Sequence, residues 1–220
     1  AGSAAPNVIL GRDGDDDIEG DVGNDAIYAG SGDDRVDGGE GDDFLLGNDG
    51  ADTLIGRTGN NTLDGGNDDD QLSGGHGNDR LIGGAGTDTA IYSGPIAAYS
   101  FERNAQGEVV VSDNLGAEGD GVDTLTTIEQ IQMGNDLTPY ALVANGTAAV
   151  DIVVGTAGNN TLSGGAGNDL VFAGAGNDNL LWRTGDGRDF VDGGAGTDTF
   201  RILDGALPVQ QLGLAAARAQ

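Results

Sequence analysis

An Asp or Asn recurs at every ninth residue from 16 to 88: Asp16, Asp25, Asp34, Asp43, Asp52, Asn61, Asp70, Asp79 and Asp88. Each lies in a short run of Gly, Asp and Asn, so its side chain is surrounded by peptide carbonyls that nothing bulky covers. Carboxylates and carbonyls are hard oxygen donors. Their chemistry at this spacing is the holding of a cation rather than attack on a substrate. Ca²⁺ accepts about six to eight oxygens in an adaptable shell, whereas Mg²⁺ demands stricter octahedral geometry and gives up its water reluctantly. One carboxylate from each of two neighbouring turns would neutralise one divalent ion. The spacing therefore points to a row of calcium cages.

The elements that must position these residues follow from the repeat itself. From Gly11 the chain reads as nine units of nine residues, GRDGDDDIE through GGAGTDTAI, ending at Ile91 without an insertion. Gly fills the fourth position in every unit except the seventh, which has Asp68. The eighth position is Ile18, Ile27, Val36, Leu45, Leu54, Leu63, Leu72, Leu81 and Ala90. Six residues rich in Gly, Asp and Asn make a turn. The three that follow, x-hydrophobe-x, make a strand too short to stand alone. Two units must therefore form one coil of a right-handed parallel roll, with units n and n+2 stacked at about 4.8 Å. A second block runs from Gly146 to Arg201, with a degenerate first unit (GTAAVDIVV) and two extra residues, Trp182 and Arg183, before its fifth.

The unit is the G-G-x-G-x-D-x-U-x nonapeptide of RTX proteins, and over both blocks the chain resembles the hemolysin-type calcium-binding (RTX) family. The resemblance implies a parallel β-roll that binds Ca²⁺ between turns, export by a type I (ABC-transporter) secretion system, and an extracellular or cell-surface location. Carried over by position, it implies metal ligands at the nine first-block residues above and at Asp169, Asp178, Asp189 and Asp198. Pairing n with n+2 sets Asp16 against Asp34, Asp25 against Asp43, Asp34 against Asp52, Asp52 against Asp70, and Asp70 against Asp88. The two cages that use Asn61 lose a carboxylate each and should be weaker. In the second block the pairs are Asp151/Asp169, Asn160/Asp178, Asp169/Asp189 and Asp178/Asp198. The degenerate turn puts the first pair in question. The insertion does so for Asp169/Asp189 and the register after it.

The fold expected is all-β: two right-handed parallel β-rolls joined by a small β-rich capping segment. Residues 1–10 form a lead-in, 11–91 the first roll, 92–145 the cap, 146–203 the second roll and 204–220 a tail. Within the cap, YSFER and EVVVSD read as a hairpin turning at Asn104–Gly107, and GVDTLTTIEQIQM as a strand beginning near Leu125. A tract like this last one often follows a repeat block in RTX proteins. Its expected role is to cover the open end of the first roll, and no polar cluster argues for ligand binding there. The outward positions seven and nine include apolar residues, among them Tyr28, Phe44 and Leu46 in the first block and Leu170, Phe172 and Phe190 in the second. These faces are expected to be covered by each other or by the middle segment. The tail is expected to form a short helix or a cut end.

Composition narrows the function classes. Thirty-one Asp and 6 Glu against 9 Arg and no Lys give a net charge of −28. Nucleic acid and anionic membrane surfaces are excluded as partners by repulsion, and no apolar run approaches the roughly 18 residues of a membrane span. Cys is absent, so thiolate metal sites and disulfides are excluded. The single His76 rules out two-His metal sites and is expected on the surface. HExxH and GxSxG do not occur, and Asp13, Asp15 and Asp17 imitate an EF-hand only until Ile18, where Gly would be needed. No catalytic residues are assigned. The reading is a calcium-binding module of a secreted protein that folds on meeting Ca²⁺ outside the cell, with calcium ions and the secretion machinery as partners. Two other classes stay open: a non-catalytic module of a secreted RTX enzyme (epimerase, hydrolase or haem peroxidase), and a structural segment of an adhesin or S-layer protein.

Overall fold

The computed structural model describes residues 2, 4–114, 119–134 and 139–204, with the backbone of Gly213–Leu214. Among them the secondary structure is β apart from one three-residue 3-10 turn at Ile96–Ala98. The chain divides into two compact units, residues 1–100 with 110–139 and residues 101–109 with 140–220.

In the first unit the strands are β1 Val8–Asp13, β2 Asp17–Glu19, β3 Ala26–Ser31, β4 Arg35–Glu40, β5 Phe44–Asp49, β6 Thr53–Thr58, β7 Thr62–Asn67, β8 Gln71–Ser73, β9 Arg80–Ala85 and β10 Thr89–Tyr92. They are followed by β11 Tyr99–Arg103 and β12 Val109–Asp113, whose residues 101–103 and 109 belong to the second unit, and by β13 Val122–Thr126 and β14 Gln130–Met133. Consecutive strands alternate between two parallel sheets, β1-β3-β5-β7-β9-β13 and β2-β4-β6-β8-β10-β14. Each residue therefore pairs with the one eighteen further on, as in Ile27↔Leu45 and Leu54↔Leu72. The alternation follows from the nonapeptide: a six-residue turn reverses the chain after each strand, and the second turn returns it beside the first.

The eighth-position residues form the core. Ile27, Val36, Leu45, Leu54, Leu63, Leu72, Leu81 and Ala90 are fully buried, and Leu125 and Ile131 extend the two columns. At the second position of the unit the backbone is left-handed, which explains the usual Gly. Arg57 (φ 71°) and Asn48 (φ 82°) adopt it regardless. Arg57 is held there by a two-pronged ion pair with the buried Asp37.

Two boundaries differ from the sequence reading. Residues 7–10 are already part of the roll, since β1 pairs with β3 from Val8↔Ala26 onward. The tract after Gly121 forms two strands, beginning at Val122, where one from Leu125 was expected. β13 pairs with β9 (Leu125↔Leu81) and β14 with β10 (Ile131↔Ala90). The hairpin turn is as read, with the Asn104 N–H donating to the Glu108 carbonyl and the Gly107 N–H to that of Asn104. The Phe44 ring packs at a tilt against Tyr28, centroids 5.9 Å apart, and each is 37% exposed, so this face is only partly covered by the described residues.

The second unit contains β15 Tyr140–Val143, β16 Asp151–Val154, β17 Thr161–Ser163, β18 Leu170–Phe172, β19 Ala175–Gly176, β20 Asn179–Trp182, β21 Phe190–Asp192, β22 Ala195–Gly196, β23 Thr199–Ile202 and β24 Gly213–Leu214. Strands β15-β16-β18-β21-β24 form one sheet and β17-β20-β23 another, around a core of Val153, Leu162, Val171, Leu180 and Val191. The insertion at Trp182–Arg183 does not shift the register: Val171 pairs with Val191 and Leu180 with Phe200. Phe172 is covered, its ring packing on Phe101 at 4.9 Å and Phe190 at 5.8 Å. The expected tail lies outside the described residues except for Asp204 and β24, which pairs with β21.

Candidate metal centre

Along the first ladder the sixth-position Asp residues from Asp34 onward divide their two oxygens between two tasks. Oδ1 accepts the backbone N–H of the sixth-position residue eighteen positions earlier: Asp34 from Asp16 (2.7 Å), Asp43 from Asp25 (2.8 Å), Asp52 from Asp34 (2.8 Å), Asp70 from Asp52 (2.8 Å), Asp79 from Asn61 (2.7 Å) and Asp88 from Asp70 (2.9 Å). Oδ2 has no hydrogen-bond partner and is buried at Asp16, Asp25, Asp34, Asp43, Asp52, Asp70, Asp79 and Asp88. A desolvated, unpartnered carboxylate oxygen is costly, and eight at one chemical position, interrupted only at Asn61, mark a place where positive charge belongs.

The space beside Oδ2 is lined by backbone. A methyl group added at Gly47 would collide with Asp52 Oδ2 and the Gly65 carbonyl oxygen, and one at Gly65 with Asp70 Oδ2 and the Gly83 carbonyl oxygen. Gly20 stands likewise against Asp25 Oδ2 and the Gly38 carbonyl. The first-position Gly thus keeps open a hollow on which one carboxylate oxygen and the first-position carbonyl of unit n+2 converge. Among the described residues no three His, Asp or Glu side chains gather at one point. A cation held here takes most of its shell from carbonyls, as Ca²⁺ readily does.

Electrostatics agree. Burial pushes Asp43, Asp52 and Asp79 up to about 6 and Asp70 to about 7. The ladder hydrogen bond opposes that rise, and neighbouring carboxylates add to it. Asp34 and Asp88 are raised for the same leading reason. Crowded, buried carboxylates without counter-charge prefer to take up protons, and these hollows have the same affinity for positive charge in any form.

Asn61 is different. Its Oδ1 keeps the ladder bond from Asp43 (2.9 Å), but its amide donates to the Gly59 and Gly74 carbonyls at 3.3 and 3.4 Å. A donor stands where the other units present Oδ2, so this hollow satisfies itself.

The second unit repeats the arrangement less regularly. Asp169 accepts from Asp151 (3.0 Å), Asp189 from Asp169 (3.1 Å) and Asp198 from Asp178 (3.0 Å). The last two bonds span twenty residues, so the rungs survive the insertion. Oδ2 of Asp169 and Asp178 is buried without a partner, and burial pushes Asp169 up to about 6. Asp151 lends one oxygen to the Thr147 N–H and hydroxyl, and Asn160 closes its own turn through Thr156, Gly158 and Ala173.

Three features escaped the sequence reading. Asn7 donates its N–H to Asp25 Oδ1 (2.7 Å) and so acts as a rung before the first unit. The fifth-position residues form a second, exposed ladder of opposite sense, in which the side chain of unit n accepts the N–H of unit n+2. Asp33 donates to Asp15 (3.0 Å), Ala51 to Asp33 (2.9 Å) and Asn60 to Asp42 (2.7 Å). Their recurrence as Asp or Asn was a readable signal. Finally, the inner ladder continues past Asp79 and Asp88 onto Asp123 (2.8 Å) and Glu129 (3.0 Å). The signal was EGDGVDTLT at 118–126, which carries Gly, Gly, Asp and Leu at positions two, four, six and eight. His76 is exposed, its Nδ1 3.1 Å from the Gly119 carbonyl oxygen.

The geometry defines a class: a parallel β-solenoid whose repeats present rows of backbone-lined carboxylates suited to calcium. The RTX calcium-binding nonapeptide repeat (4 copies) matches residues 1–27, 10–45, 19–54, 28–63, 46–81, 55–90, 145–180 and 183–201. The matches together cover more than half of the chain, which belongs to this RTX family; its repeats bind calcium at several places. Among solved structures, the chain is similar to the extracellular lipase LipA from Serratia marcescens, at 20% identity and a TM-score of 0.31. That similarity covers 84% of this chain and 33% of the lipase chain, so the chain spans about a third of its length. A comparison with curated proteins gives no match.

Proposed function

We propose that this chain is a calcium-operated folding module of a type I-secreted protein, extended inside the cell and folded at extracellular Ca²⁺. The proposed ligands are the sixth-position residues: Asp16, Asp25, Asp34, Asp43, Asp52, Asp70, Asp79 and Asp88, then Asp169, Asp178, Asp189 and Asp198, with Asn61 marking a weak or vacant rung. The observation that carries this reading is the row of buried Oδ2 atoms without partners. Each unit buries one aliphatic side chain, worth about 1.5–3 kcal/mol. It also buries one carboxylate, whose uncompensated desolvation costs several kcal/mol. An empty row of buried carboxylates therefore weakens the roll, and each site held at a hundred times its Kd adds about 2.7 kcal/mol to the folded state.

The module is read as two separately loaded rolls, 11–91 and 146–203, with no catalytic role of its own. Far-UV circular dichroism during a calcium titration of the full chain tests the reading. The expected result is a cooperative gain of β signal with several calcium ions bound per chain. A β-rich spectrum in excess chelator, unchanged by added calcium, would overturn it.

A further inference from the structure

We propose that residues 121–129 complete two further calcium cages at the end of the first unit, one between Asp79 and Asp123 and one between Asp88 and Glu129. The proposal rests on the reading that the repeat cages hold calcium, and extends it to a segment outside the residues the family matches.

Position by position, this segment does what a repeat does. A methyl group at Gly121 would meet the Gly77 carbonyl, as one at Gly77 would meet that of Gly59. Gly121 therefore holds the fourth position of a tenth unit. Asp123, 1% exposed, holds the sixth and accepts the Asp79 N–H at 2.8 Å. Leu125 holds the eighth, paired with Leu81.

An eleventh unit follows with its turn cut from six residues to three. Thr127 takes the first position: a methyl group at Gly83 would collide with the Thr127 carbonyl and Asp88 Oδ2, as one at Gly65 would with the Gly83 carbonyl and Asp70 Oδ2. Glu129 takes the sixth, its Oε2 accepting the Asp88 N–H at 3.0 Å. Its extra methylene offsets the shorter turn.

The independent sign of a ligand is on the repeat side of both cages. Asp79 is 3% and Asp88 0% exposed, and the Oδ2 of each is buried without a hydrogen-bond partner. A passive lid would be expected to offer donors to those oxygens. This one brings a further carboxylate to each cage and, at the Asp88 cage, the Thr127 carbonyl, all hard oxygen donors of the kind Ca²⁺ takes.

Equilibrium dialysis of the full chain against Ca²⁺ tests the proposal through Asp123→Asn and Glu129→Gln, each of which retains an oxygen for the ladder N–H. Each variant is expected to lose one bound calcium, or to weaken one site by at least about tenfold, and the double variant two. Leu125→Ala, a core change without a lost ligand, is expected to lower thermal stability while keeping the calcium count. Both single variants retaining the parent's count and affinities would overturn the proposal while leaving the repeat cages standing. A parent chain that binds no calcium would overturn the repeat reading, and this proposal with it.

Discussion

The two repeat regions solve one problem with different regularity. In the first, rungs between units fall eighteen residues apart, and eight carboxylates present a buried, unpartnered Oδ2. Strands such as β5 and β7 run six residues, through the outer positions into the next turn. In the second, strands on the two main sheets run two to four residues, rungs stretch to twenty, and only Asp151, Asp169 and Asp178 keep an unpartnered buried oxygen. Rung geometry therefore tolerates two extra residues, because the ladder bond constrains the sixth position and not the length of chain before it. The irregularity is absorbed instead by the turns and the strand ends.

Removing calcium puts the greatest strain on this comparison. Chelation is expected to abolish the β signal of the whole chain. Trp182, 2% exposed and present only in the second unit, is expected to shift its emission to the red in the same transition. An unshifted Trp182 in a chain that has otherwise unfolded would mean that the irregular region stands without metal.

A smaller effect separates interior from terminal rungs. Asp70→Ala removes a proposed ligand and orphans the buried Asp52 N–H, and should cost about 3 kcal/mol in denaturant unfolding of the calcium-loaded chain. Asp198→Ala, at a half-buried rung near the end of the second ladder, should cost about 1 kcal/mol. Equal costs would erase the distinction.

Proton uptake gives opposite signs with and without metal. The buried carboxylates have folded-state values near 6–7, above the ordinary 3.8. Raised acids stabilise the metal-free fold at low pH, and lose that contribution as pH rises through about 4 to 7. Metal-free chain should gain β signal when titrated from pH 8 to pH 5, whereas calcium affinity should fall over the same interval as protons compete for Oδ2. Asp43, Asp52 and Asp70 make this stronger in the first region than in the second, where Asp169 alone reaches about 6. The smallest effect is a gain: Asn61→Asp should add one calcium ion to the count of the first region, measured by dialysis.

The sixth and eighth positions were legible because a strict period repeats them, and period is what a sequence displays best. Asp123 and Glu129 were hidden by physical causes that break the period without breaking the ladder. Between Ile91 and residue 118 the chain leaves for a hairpin, and between β13 and β14 the turn loses three residues. A longer acid then replaces Asp. Asn61 looked like a ligand short of one charge. Its amide donating to Gly74 could be known only from where that carbonyl points. How far Phe44 and Phe172 are covered, 37% and 6% exposed, was not legible, because an apolar outward face says nothing about what packs on it.

The inner ladder has a sense, since every buried N–H reaches forward in sequence to the acid of a later coil. Repeats can thus be added at the N-terminal side by plain duplication: a new first coil brings N–H groups that existing acids already await, as Asn7 does with Asp25. The other end cannot grow or shrink so freely. Where the first array stops, two N–H groups are left asking for acids, and Asp123 and Glu129 answer them. Variation in repeat number should accumulate at the front of such arrays, with their final rungs held constant.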